Sequence, residues 1–145
     1  MKLLLLVFSL VFMMSKDVPE HVLDYHKADT KEKELVFINK YKSSDKISVK
    51  GYVVSLQMKQ AKHKFFPWKK LAVFNQGKKK LETLIKENPN NTDLRYLRLV
   101  IQENIPAILN YKSSIKIDKE FLSQKLNETD NSDYLDFYIK KNTSL

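Results

Sequence analysis

Residues 65–106 read FFPWKKLAVFNQGKKKLETLIKENPNNTDLRYLRLVIQENIP, and this stretch decides the fold. Pro67 has no amide hydrogen and a fixed φ, which suits the first position of a helix. After it Leu71, Phe74, Leu81, Leu84 and Ile85 recur at helical spacing on one stripe, with Lys69, Lys70, Lys78, Lys79, Lys80 and Lys86 mostly off it. Gly77 stands between Phe74 and Leu81 at a helix-propensity cost of about 1 kcal/mol relative to Ala, which implies that a neighbouring backbone comes close there. Asn88-Pro89 ends this helix, because Pro disfavours α geometry in the residue before it, and Asn90-Asn91 supplies a turn. Thr92 or Asn91 then caps a second helix, with Asp93 set against its N-terminal dipole. Leu94, Leu97, Leu99, Val100 and Ile101 cover more than one face of it, so it is expected to be the most buried helix, closed by Ile105-Pro106.

Working outward, Lys31–Tyr41 and Ile47–His63 carry further helical patterns, the first with Leu35 and Ile38 facing inward. A short helix entered through Pro19 precedes them. Tyr52-Val53-Val54 could form a strand, but no second strand-like run exists to pair with it. Residues 117–127 form another helix; Asn131-Ser132-Asp133 caps the last, and residues 142–145 should fray. The chain of 145 residues has only 2 Gly and 4 Pro, and 43% hydrophobic residues suffice for one unaided core. An all-α fold of about six antiparallel helices follows.

The first fourteen residues, MKLLLLVFSLVFMM, place one Lys before an apolar run, the pattern of an export signal. The twelve mainly apolar residues after Lys2 would rise about 18 Å as a helix, short of a bilayer core of about 30 Å. The expected organisation is a signal peptide over 1–15, cleaved or kept as a tether, and a single helical domain over 16–145, exported to the periplasm or beyond. Losing residues 1–15 removes Lys2 alone among the charges and lowers the net charge from +9 to +8. Such a balance favours anionic partners, although lysines on every helix read first as a solvated surface, and abundant Lys and Asn also follow from an A+T-rich genome.

No cysteine is present, which excludes a disulfide framework, a thiol nucleophile and a cysteine-based zinc site. No Gly-flanked serine elbow or phosphate loop occurs, so neither catalysis nor a cofactor is expected. His21, Asp24 and His26 invite a metal reading, but His21 and His26 are five apart and do not share a helix face. Asn90, Asn127 and Asn142 each open an N-x-Ser/Thr triplet, which matters only if exported proteins are glycosylated by the host.

Two candidate binding groups remain. Arg95 and Arg98, the only arginines, sit three apart on the second helix of the opening stretch, placed to grip a carboxylate or phosphate or, more commonly, to pair with acids of adjoining helices. Phe65, Phe66 and Trp68 crowd beside Lys69 and Lys70: exposed, they form an aromatic-basic contact patch; buried, the commoner fate of such rings, they plug a helix junction.

The joint around Asn88-Pro89-Asn90-Asn91 resembles that between tetratricopeptide repeats, with Gly77 and Leu81 at the small and large apolar positions. The likeness covers about 25 residues, since the first helix of such a unit would have to run through Pro67. Residues 65–111, through AILNY, resemble uncharacterised small exported all-helical proteins of Bacteroidetes, which implies an address and no activity. The expected function is a non-enzymatic protein-interaction module with a partner in the cell envelope, and nucleic acid does not fit an exported chain. The alternative is an electrostatic binder of an anionic envelope surface, lipid or polysaccharide. A third reading, a small enzyme, needs a cleft presenting Arg95 and Arg98.

Overall fold

The structure, a computed structural model, describes residues 17–145, so the expected leader at 1–15 lies outside the described residues. These form seven α-helices and no strand: α1 Glu20–Lys27, α2 Lys31–Tyr41, α3 Ile47–Lys59, α4 Pro67–Glu87, α5 Thr92–Asn104, α6 Ile115–Leu126 and α7 Asp136–Asn142. Short 3-10 turns at Gln60–His63, Ala107–Leu109 and Asp133–Leu135 finish or link them. Tyr52, Val53 and Val54 lie inside α3 and are buried there, which excludes the strand alternative.

The central helices make two antiparallel hairpins, α3 with α4 and α5 with α6, and α3 also packs along α5. Adjoining hairpins in helical repeats touch in this order. The helical path breaks between Lys59 and Pro67, so no continuous helix runs through Pro67 as the first helix of a tetratricopeptide unit would have to. The two hairpins begin at Ile47 and Thr92, a longer spacing than the 34 residues of a tetratricopeptide unit.

Two apolar clusters meet along α3. One joins Val22, Phe37, Tyr52, Leu56, Leu97, Leu122 and Ile139 from six helices; the other joins Val54, Met58, Phe74, Leu81, Ile85 and Leu94 from α3, α4 and α5. Leu81 and Leu97 are wholly buried, so the inward stripes of α4 and α5 are scaffold and neither residue lines a cleft. α5 does not exceed the rest in burial: eight of its thirteen residues are buried, and so are eight of thirteen in α3. The reason is α3's place between α4 on one side and α5 on the other.

Both glycines sit at these contacts. A Cβ on Gly77 would stand 2.0 Å from Met58 Cγ, and one on Gly51 would stand 2.3 Å from Leu94 Cδ2. The notch at Gly77 therefore admits a side chain of α3, not a neighbouring backbone.

Local chemistry explains most helix ends. Asn91 caps α5 through Leu94 N–H to Oδ1 at 3.1 Å, and Thr30 caps α2 by accepting from Lys33 N–H at 3.2 Å. Two expected features move. Leu35 points outward, because Phe37 and the carboxylate of Glu34 take the inward face of α2. Residues 131–133 do not cap α7; Asp130 accepts from Ser132 N–H at 2.6 Å, and Asp133 accepts from Asp130 N–H at 2.7 Å, closing a tight turn instead. The C-terminal residues also dock where fraying was expected. Ser144 donates its N–H to Glu103 at 3.0 Å, and Leu145 packs on the larger cluster.

Candidate functional site

Arg98 projects from α5 toward α6, where its Nε and a terminal nitrogen donate to both oxygens of Asp118 at 2.7 and 2.8 Å. Its remaining terminal nitrogen donates to Glu82 of α4 at 2.9 Å, and Tyr111 O–H donates to the other oxygen of Glu82. Burial would lower the Arg98 pKa, but the hydrogen bond and charge of Asp118 outweigh it and raise the group. Arg95 Nε lies 3.1 Å from Asp118 Oδ1 without hydrogen-bond alignment, and its guanidinium covers the Phe121 ring at 4.7 Å. The Arg98 fork is thus filled by the protein itself and clamps α4, α5 and α6 together, while Arg95 meets Asp118 as an ion pair without a hydrogen bond. Both arginines pair with an acid of an adjoining helix, the commoner of the two roles expected for them.

The aromatic-basic junction has the opposite fate. Pro67 holds Phe66 extended at φ −87°, ψ 134°, and the Phe66 carbonyl accepts from Lys69 and Lys70 N–H, so α4 starts with both phenylalanines outside the helix. Every residue from Lys62 to Ala72 is exposed. Phe65 is 87% and Trp68 65% exposed, which overturns the expected burial of this cluster. The rings organise one another: Phe66 stacks on Trp68 with centroids 4.6 Å apart, Phe65 stands edge-on to Phe66 at 5.0 Å, and Lys69 Nζ lies 5.3 Å from the Phe66 centroid. Leu71, expected on the inward stripe, is exposed beside them because the tip runs past the core before Phe74 packs.

What fixes the tip is a carboxylate that sequence reading missed. Glu34 of α2 is fully buried, and it draws in Gln60 Nε2 at 2.5 Å, Lys59 Nζ at 3.1 Å, Lys62 Nζ at 3.4 Å and His63 Nε2 at 3.5 Å. The 3-10 turn after α3 is pinned there, and residues 64–72 beyond it stay exposed until Phe74 packs.

Charge is segregated along the same hairpin. Residues 46–81 hold ten lysines and no acidic residue, against sixteen basic and seventeen acidic residues in the rest of the chain. The whole positive excess therefore belongs to α3, α4 and their tip. This signal was present in the sequence as the acid-free gap between Asp45 and Glu82, and a helix-by-helix view of the lysines conceals it.

The histidines of α1 serve the core. His26 stacks on Tyr138 of α7 with centroids 3.8 Å apart; its Nδ1 lies 2.7 Å from the Val22 carbonyl and its Nε2 2.8 Å from Tyr96 Oη. Burial depresses its pKa, and that of His21. Asp24 instead accepts from Lys40 at 2.8 Å and Tyr41 at 2.7 Å. A third buried carboxylate beside Glu34 and Asp118, Asp93, accepts from Tyr52 and Tyr134 at 2.8 Å each and from Ser48 at 3.1 Å. Among the described residues no group of three or more His, Asp or Glu could hold a metal, and no helix is long and apolar enough to cross a membrane. Compared with known proteins, the chain matches no family model, no curated protein and no solved structure.

Proposed function

We propose that the protein is a non-enzymatic contact module that rests on an anionic lipid surface through the tip of the α3–α4 hairpin. One observation carries this: three mutually packed rings stand exposed at the end of the hairpin that holds the chain's entire positive excess. Aromatic rings beside lysines suit the boundary between headgroups and acyl chains, where the ring enters the apolar layer and the ammonium stays with the phosphates. A convex tip also suits a soft surface better than a rigid partner, which would need a matching concavity. The alternative of a protein partner in the envelope draws on the same exposed rings without using the charge.

Trp68 is the only tryptophan, so its emission reports the tip alone. Adding vesicles with about a third anionic lipid should shift that emission to the blue, vesicles of zwitterionic lipid should not, and molar NaCl should reverse the shift because the screening length falls to about 3 Å. An emission unchanged by anionic vesicles, or a shift that survives molar salt, refutes the proposal.

A further inference from the structure

A second feature of the same hairpin lies along its flank. A groove of about 670 Å³ runs between α2, α3 and α4, floored by Val53, Val54 and Leu84. Lys42 and Lys50 stand on one wall, Lys79 and Lys80 on the other, and no acidic residue lines it. Among the described residues, none of these four ammonium groups has a carboxylate within 4 Å; Lys42 donates only to Asn39, at 3.3 Å. Facing cations with no anion between them repel, and an anion placed in the gap would turn that repulsion into attraction on both sides. The remaining polar groups are neutral: Gln57 and Gln76 supply amide donors, while the hydroxyls of Thr83 and Tyr41 already donate to the Lys79 carbonyl and to Asp24.

The dimensions narrow the occupant. A free phosphate would leave most of the volume empty, whereas the apolar floor asks for hydrocarbon beside the charge, and the volume lies in the range of small-molecule sites. On α4, Lys69, Gln76, Lys80 and Thr83 recur at spacings of seven, four and three, so one stripe of the helix runs from the exposed tip into the groove. We infer that the groove between α2, α3 and α4 binds the headgroup of a single anionic phospholipid, with phosphate between the lysine walls and the first methylenes on Val53, Val54 and Leu84. The inference rests on the proposed lipid contact and gives it selectivity: the tip senses the bilayer and the groove reads the headgroup.

Dihexanoyl phosphatidylglycerol below its micelle concentration tests the groove without any surface for the tip to enter. Titrated into the whole chain, it should shift the Val53 and Val54 methyl resonances, with at least tenfold tighter binding than dihexanoyl phosphatidylcholine or inorganic phosphate. The K79E/K80E double variant should lose at least tenfold in affinity, K79Q/K80Q should lose less, and the tip variant F65S/W68S should bind as the parent does. Equal binding of the choline lipid, equally tight inorganic phosphate, or unmoved Val53 and Val54 methyls overturns the groove assignment. These outcomes are separate from Trp68 emission on vesicles: the tip can fail while the monomeric lipid still binds, and the groove can fail while emission still shifts.

Discussion

Arg98 and Lys69 carry the same charge under opposite conditions. Arg98 is 5% exposed and delivers three hydrogen bonds to two carboxylates, whereas Lys69 lies in solvent with an aromatic face as its neighbour. Where a cation is buried, its partners are built beside it, because an unpaired charge in the interior costs several kcal/mol. Where lysines and rings are left exposed together, the fold gains little from them, which is what the proposed lipid contact draws on. The contrast separates a region that stabilises from a region available for contact.

The sharpest way to break this comparison is to remove the buried cation. Arg98→Ala should cost about 3–5 kcal/mol in urea unfolding, since Asp118 would stay buried with both of its Arg98 hydrogen bonds gone and only the unaligned Arg95 beside it. A loss under about 1 kcal/mol would show that the clamp is ornamental. Arg95→Ala should cost less, about 1–2 kcal/mol, because it removes one imperfect ion pair and the cover over Phe121. An unchanged melting temperature would count against its structural role.

Packing at the hairpin base gives the next effect. Gly77→Ala should destabilise by about 1–2 kcal/mol despite better helix propensity, because the methyl group enters the space of Met58. The added change Met58→Ala should recover part of the first loss, and double-mutant analysis of the pair measures that coupling.

Acid should weaken the fold through the α1–α7 contact. His26 has a depressed pKa in the folded chain, so between the unfolded value near 6.5 and the lower folded value the unfolded chain binds the proton first. Stability is then fully present above pH 6.5 and falls as the pH drops through that window, no more steeply than about 1.4 kcal/mol per pH unit for each such imidazole. Flat urea midpoints from pH 7.5 to 5.5 would remove this contribution. Asp130 acts in a separate window: hydrogen bonds from Ser132 hold its pKa at about 2, so whatever stability it adds is lost only in stronger acid.

The smallest stability effect belongs to the tip. Phe65→Ser with Trp68→Ser should change unfolding by less than about 0.5 kcal/mol, the range of surface substitutions, while anionic vesicles no longer sediment the protein at low salt beyond the level set by the apolar residues 3–14. A large fall in melting temperature would return the rings to the scaffold and erase the contrast.

Much of this molecule was legible from its sequence, for physical reasons that can be named. Pro67, Pro89 and Pro106 act on their own backbone and on the residue before them, so α4 and α5 begin and end where local chemistry places them. The 3.6-residue stripe through Phe74, Leu81 and Ile85 was equally local. The fate of Phe65, Phe66 and Trp68 was not, since identical rings can plug a junction or crown a tip, and only the distance between the core and residue 65 decides which. Charge pairing was half legible: two arginines on a buried helix demanded acids, yet nothing nearby in sequence singled out Asp118 and Glu82.

The sequence alone determined an all-helical class, the boundaries of α4 and α5 and the total charge, all consequences of short-range backbone sterics, periodicity and composition. Only the tertiary structure decided that Glu34 pins the tip, that Arg98 is spent on Asp118, and that lysines far apart in the chain face one another across a groove. Contacts over tens of residues depend on how helices pack, and packing is a property of the whole set of surfaces, which no single stretch contains.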